Sequence, residues 1–517
     1  MRTENSIINA SVGLIGQIIS SIMNFICRTV FVYTLSAQYL GLNGLFTNIL
    51  SMLSLAELGI GGAITFSMYK PIADGDETVL RQLLYFYGKV YRCIGIVIGF
   101  IGVVITPFLG FFIKDMPDIP HLRFIYILYL VNSVISYFYS YKCSVLDANQ
   151  KQYIGNIFRY KYIIICDIIQ MVFLVLTHNF IVYLMLAVFN TIYTNIKISR
   201  KAEELYPWIK RISKSDQLNV KLKSEISKNV FAMFNHNIGN VIVNGTDNIL
   251  ISKFAGLINV GLYSNYSLIV STIASLISKV SDSFTASIGN LGVMEDEDKI
   301  YQVYQIINFV NFWIYSFCAI CFLLLFQPFI TAWLGKNYLL TNSCIFMICV
   351  NFYISGMRKV NLTFRDAMGL FWHDRYKPLV ESAINLAASI YLAQRMGIAG
   401  VLIGTFISSI LTAFWVEPYI LYKHKLHRKL RGYMVRYAGY TGCMIGVGVI
   451  INIILRQFEM TGWIGILISI LICIIGINGI YFIIFWRTSE FQYLLKMVLP
   501  VVKKTLVKIK DGGEKNA

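Results

Sequence analysis

The chain has 517 residues and a formal net charge of +18; 56% of its residues are hydrophobic and only 14% are charged. Its mean hydropathy is +0.63, whereas soluble domains average about 45–50% apolar and about 25% charged residues, so a soluble globular protein is excluded. Runs such as "IGIVIGFIGVVITPFLGFFI" and "WIGILISILICIIGINGIYFIIFW" are long enough to cross the roughly 30 Å hydrocarbon core as helices.

Taken in chain order, the apolar runs predict an all-α membrane protein of about fourteen transmembrane helices. They fall near 7–35, 41–69, 82–113, 123–146, 155–176 and 180–199, then, after a basic stretch at 200–225, near 226–253, 260–291, 300–334, 340–364, 376–396 and 398–422. Two more follow at 433–455 and 462–486, before a basic tail at 487–517. The first run is too long for the h-region of a cleavable signal and lacks an A-x-A-like site.

An even number of spans puts both termini on one side. With that side cytoplasmic, most basic residues fall in inside segments, and only Lys114, Arg123, Lys253, Lys336, Arg395 and Arg456 fall outside. This is the positive-inside asymmetry, so the net charge reports topology and contact with anionic lipid rather than nucleic acid. The tail mixes apolar residues with late lysines and is expected along the cytoplasmic leaflet.

The chain also repeats itself. At an offset of about 220 residues, "LGLNGLFTNILSML" lies over "VGLYSNYSLIVSTI", with Gly41 on Gly261, and Asp76-Glu77 lies over Asp296-Glu297. "TPFLGFF" and "QPFITAW" follow in the same order, then the triplets Arg159-Tyr160-Lys161 and Arg375-Tyr376-Lys377. Six spans per copy return the chain to its starting side, which makes the copies parallel. The expected division is an N-lobe at 1–199, a basic cytoplasmic linker at 200–225, a C-lobe at 226–425, two added spans within 426–486 and the tail.

Other chemistry is thinly represented. Neither Gly-Lys pair, Gly88-Lys89 or Gly335-Lys336, has the rest of a P-loop. Cys318 and Cys321 form a CxxC inside an apolar run without a second pair or a nearby histidine, which reads as packing rather than a metal or redox site. No soluble segment is large enough for a glycosyltransferase domain, and no external loop suits a polymerase or ligase. We expect no enzyme, no metal and no cofactor.

Three blocks carry a family resemblance: "AELGIGGAITFSMYKPIADGD", "GTDNILISKFAGLINVGLYSNYS" and "RYKPLVESAINLAASIYLAQRMGIAGVLIGTFIS". They resemble the bacterial polysaccharide flippases of the O-antigen and capsule type, in the multidrug/oligosaccharidyl-lipid/polysaccharide (MOP) exporter superfamily, over residues 5 to 425. That resemblance implies a MATE-like two-lobe bundle in the bacterial cytoplasmic membrane. The implied substrate is a polyprenyl-diphosphate-linked oligosaccharide moved from the inner to the outer leaflet for cell-surface polysaccharide biosynthesis, with polymerase or assembly proteins as further partners. The competing readings are a MATE-type drug/cation antiporter, which would want an acid-dominated cavity, and a non-transporting scaffold of a polysaccharide assembly complex.

Charges inside spans are costly and usually face a cavity. Arg28, Lys89, Arg92, Lys279 and Arg358 are the candidate contacts for a diphosphate, with Lys89 and Arg92 sharing a helical face with Tyr85. Snorkelling to headgroups is the alternative, and it is the expected role of Lys142 and Lys359. Glu57, Asp167, Asp247 and Glu381 are candidates for ion coupling or for structural pairing, Glu381 with Lys377 one turn back and Asp282 with Lys279. Tyr33, Asn48, Asn240, Asn244 and Tyr266 could meet sugar hydroxyls, and His236 reads as a hydrogen-bonded bundle residue.

Overall fold

The protein is described from a computed structural model, over residues 2–57, 60–219, 222–224, 226–227, 230, 242, 245–458 and 462–496. No strand occurs among the described residues. The helices are α1 (Arg2–Thr34), α2 (Ala37–Leu53), α3 (Ile60–Asp74), α4 (Glu77–Ile105), α5 (Leu122–Ala148), α6 (Gln152–Thr177), α7 (Phe180–Leu205) and α8 (Asp247–Phe254). They continue with α9 (Leu257–Met294), α10 (Glu297–Trp333), α11 (Asn342–Ala367), α12 (Lys377–Met396), α13 (Ile398–Leu411), α14 (Ala413–Leu421), α15 (Leu430–Leu455) and α16 (Gly462–Phe485).

Ten described stretches are long and apolar enough to cross a membrane. The remaining expected spans fall short for identifiable reasons. Charged side chains lower the hydropathy of α11 and α12, and 226–253 lies largely outside the described residues. The expected single helix at 41–69 is instead broken: α2 ends at Leu53, a 3₁₀ turn covers Ser54–Glu57, and α3 starts at Ile60. Ser54 Oγ donates to the Leu50 carbonyl at 2.9 Å, a back-bond that competes with a straight helix.

The chain divides into two compact units, one of residues 1–279 and 375–408, the other of 280–374 and 409–517. These units are drawn differently from the two lobes expected from the repeat. In the first, α1 packs on α6, α5 on α4 and α7, and α3 against α4 and α5. Its core gathers Leu83, Leu84 and Tyr87 of α4, Leu130 and Tyr137 of α5, and, from the basic linker, Trp208 and Ile209. The linker is thus docked by its own apolar pair. In the second unit α10 packs on α11, α15 and α16, around Tyr304, Phe364, Tyr422 and Tyr433.

The repeated residues occupy matching positions. Asp76 caps α4 by accepting from the N–H of Thr78 and Val79 at 3.0 and 3.1 Å, and its counterpart Asp296 caps α10 by accepting from Lys299 N–H at 2.8 Å. Gly41 and Gly261 face each other across α2 and α9. A Cβ on Gly41 would collide with the Leu257 carbonyl, and one on Gly261 with the Ala37 carbonyl, so each glycine sits against the first residue of the other helix. The RYK triplets match less well, since α6 begins at Gln152, well before Arg159, while α12 begins at Lys377, the last residue of its triplet.

Candidate functional site

A helix broken at membrane depth is tolerated where it is buried in protein or lines a wet cavity. Both are present in the first unit. A cavity of about 470 Å³ opens against α2, α5 and α7, lined by Asn43, Ser51, Ser54, Tyr129, Asn132 and Tyr183 among others. Its wall is dense in hydroxyls and amides. Tyr129 Oη donates to Asn43 Oδ1 at 2.7 Å and Tyr137 Oη to Ser54 Oγ at 2.9 Å, while the buried Asn132 Oδ1 has no hydrogen-bond partner. An amide oxygen left so costs free energy unless a guest or water meets it.

Arg28, on α1, stands near this wall. Its Nη1 donates to Ser264 Oγ on α9 at 3.0 Å, and Tyr129 and Tyr183 lie within electrostatic reach of the guanidinium. Phe31, one turn further along α1, packs edge-on against Tyr183 with ring centroids 5.6 Å apart. A half-buried guanidinium bonded to neutral hydroxyl keeps its charge available, which suits an anion.

The other intramembrane charges are placed differently. Glu57 sits at the break itself and accepts from Tyr91 Oη at 2.8 Å, with Tyr87 Oη 3.3 Å from that hydroxyl. Asp167 Oδ2 and Asp247 Oδ1 are buried without a hydrogen-bond partner. Glu381 lies 3.7 Å from Lys377 Nζ, both buried, as their spacing suggests. Arg358 is held by Glu417 of α14, with Nη2–Oε1 at 2.8 Å and Nε–Oε2 at 3.2 Å. Lys89 and Lys279 are exposed.

Arg92 lines a second cavity together with Lys142. Lys142 does not simply reach for headgroups as expected: its Nζ is 2.5 Å from Glu203 Oε1 of α7. Among the residues read as sugar contacts, Asn48 donates to the Gly245 carbonyl at 3.1 Å, Tyr266 is buried, and Tyr33 is 69% exposed. His236, Asn240 and Asn244 lie outside the described residues, as does the side chain of Asp282.

Sequence reasoning missed Glu417, although a glutamate before Pro418 inside an apolar run carried the same signal as the acids it did single out. It also missed the serines and tyrosines of the cavity wall, which carry no pattern of their own. Among the described residues no group of His, Cys, Asp and Glu could hold a metal ion.

No protein-family model matches the chain. No curated protein matches it either. Solved structures do. The lipid II flippase MurJ in an inward closed conformation superposes with a TM-score of 0.65 at 15% identity, covering 91% of this chain and 98% of the other. An inward-facing multidrug resistance MATE family transporter of the MOP superfamily gives 0.62 at 14% identity, covering 77% and 94%. A MOP superfamily transporter from Pyrococcus furiosus gives 0.53 at 14%, covering 82% and 96%. At these identities the likeness is one of fold: an all-helical membrane bundle of the kind those transporters share.

Proposed function

We propose that the chain is a flippase that carries a polyprenyl-diphosphate-linked oligosaccharide from the inner to the outer leaflet of the cytoplasmic membrane by alternating access. The observation that supports it is the cavity at the α2 break, with its hydroxyl and amide wall and Arg28 nearby. A sugar hydroxyl stripped of water without a new partner costs about 2–7 kcal/mol, so a headgroup in transit needs such a wall. A diphosphate needs a cation that is not already neutralised, and Arg28 meets that need where Arg358 does not. The likeness to a lipid II flippase over most of both chains agrees with this reading. The parallel lobes at 1–199 and 226–425, joined by the linker at 200–225, are proposed as its moving parts, with both termini cytoplasmic.

The test is reconstitution of the full chain in proteoliposomes with a fluorescent polyprenyl-diphosphate oligosaccharide, following loss of label to a membrane-impermeant quencher. Wild type should expose the label in the outer leaflet, and Arg28→Ala should slow this about tenfold or more, as loss of a charge-assisted bond predicts. Uptake of organic cations without movement of the lipid-linked sugar would assign the protein to drug transport instead. In an otherwise cysteine-free background, impermeant thiol labelling of Lys336→Cys, but not Lys214→Cys, in intact cells checks the orientation.

A further inference from the structure

The second cavity, also about 470 Å³, lies where the docked linker meets α4, α5 and α7, and the transport reading does not use it. Arg92, Lys142, Lys210 and Lys214 line it with a single carboxylate, Glu203. Lys142 takes that carboxylate at 2.5 Å. Arg92, Lys210 and Lys214 have no carboxylate partner among the described residues, so the cavity gathers three uncompensated cations. Repulsion among them is relieved by an anion, or by solvent alone if the chain holding them is free to splay.

That chain is not free to splay. Trp208 and Ile209, just before Lys210, are buried in the core with Leu83 and Leu84. Beyond Lys210, Asp216 Oδ2 accepts from Ser213 N–H at 2.9 Å, and Asp216 Oδ1 lies 4.0 Å from Arg81 Nε of α4. Ile212 and Leu218 also pack against that core, so Lys210 and Lys214 are carried on a segment held on both sides by apolar contacts. Anchoring like charges around a cavity is the arrangement of an anion site rather than of snorkelling side chains.

The surface above the cavity identifies the kind of anion. Tyr85, Lys89 and Arg92 share one face of α4, and the 3.6-residue period continues that face through Ile96, Phe100 and Val103. Those three are 63%, 70% and 56% exposed. In a helix of this hydropathy, exposed apolar residues face acyl chains. A cationic cavity below an apolar stripe matches an amphiphile, phosphate in the cavity and chain along the helix.

We propose that this cavity seats the phosphate headgroup of an anionic glycerophospholipid from the leaflet on the linker side, and that the bound lipid fastens the linker to α4, α5 and α7. It asks nothing of the transported substrate and stands independently of the flippase reading.

The full-length protein, purified in detergent and relipidated with phosphatidylcholine alone or with added phosphatidylglycerol, supplies the test. Native mass spectrometry should show phosphatidylglycerol retained by wild type. Arg92→Gln/Lys210→Gln/Lys214→Gln should retain it about tenfold less well, whereas Lys161→Gln/Lys197→Gln/Arg200→Gln, cations outside the cavity, should retain it normally. Lys210→Gln/Lys214→Gln, confined to the linker, carries the same comparison if the triple variant fails to accumulate. Ile96→Asn/Phe100→Asn should also weaken retention, which a site for free phosphate would not show. Equal retention by the cavity variants and wild type overturns the proposal. Displacement by millimolar inorganic phosphate, with the stripe variant unaffected, overturns it in favour of a soluble anion. Retention of a polyprenyl diphosphate in place of phosphatidylglycerol overturns it by moving the cavity onto the substrate path.

Discussion

Arg28 and Arg358 look interchangeable on paper: each is an arginine inside an apolar span. In the structure Arg28 is bonded to the neutral hydroxyl of Ser264 beside a polar cavity, whereas Arg358 is gripped at two points by the buried carboxylate of Glu417. The first arginine has charge to offer a ligand, while the second has given its charge to the fold. An intramembrane cation is informative only together with its partner. Taking two charges out of water is expensive, and the bilayer makes any remainder more so.

The largest expected effect tests the fold side of this contrast. Arg358→Ala should strand Glu417 and Glu417→Ala should strand Arg358, each lowering stability by about 3–5 kcal/mol. Thermal unfolding in detergent, read with cellular protein level, measures it. Arg358→Met/Glu417→Leu should recover most of the loss, because the cost lies in the unpaired charge rather than in the missing bridge. If the double variant is as unstable as either single one, the pair does more than neutralise.

Arg28→Ala should do the reverse if the proposed flippase function holds, leaving accumulation and thermal stability near wild type while flipping of the lipid-linked sugar is lost. Arg28→Lys should restore part of it, since a lysine keeps the charge and loses the fork. A variant that loses protein level in step with flipping would place Arg28 with Arg358, as a structural residue.

A smaller effect is expected at the break. Tyr91→Phe removes the hydrogen bond to Glu57 and should cost about 1.5–3 kcal/mol, the range for bonds to charged groups. Tyr87→Phe, one step further out, should cost less. Lys142→Gln should change stability by about 1 kcal/mol or less, because its ion pair with Glu203 is partly open to solvent. That variant would serve as the mild reference for the others.

Much of the fold was legible because the bilayer enforces it: apolar runs had to be helices. Even the helix caps Asp76 and Asp296 could be found, as a repeated acidic pair in corresponding loops. The break in α2 was not legible. Its turn, Ser54–Glu57, is as helix-compatible as its neighbours, and what bends it is a side-chain bond to Leu50 and a tyrosine on another helix. The linker misled in the same way: its charge spoke of solvent, while Trp208 and Ile209 were burying themselves. The Glu381–Lys377 pair was readable because its partners lie one turn apart, and the Glu417–Arg358 pair was not because they lie on different helices.

The crossing of Gly41 and Gly261 bears on where this chain will accept foreign sequence. Each glycine meets the opening residue of the opposite helix, so the short turn before either helix sets the position of both. Leu35 and Ser36 lead into α2, and Ala255 and Gly256, the latter at a φ of 93°, lead into α9. One residue added to either turn would rotate the following helix by about 100° and present a side chain where only a hydrogen fits. Epitope tags and fluorescent insertions should therefore fail at these two turns, although they look like ordinary surface hairpins.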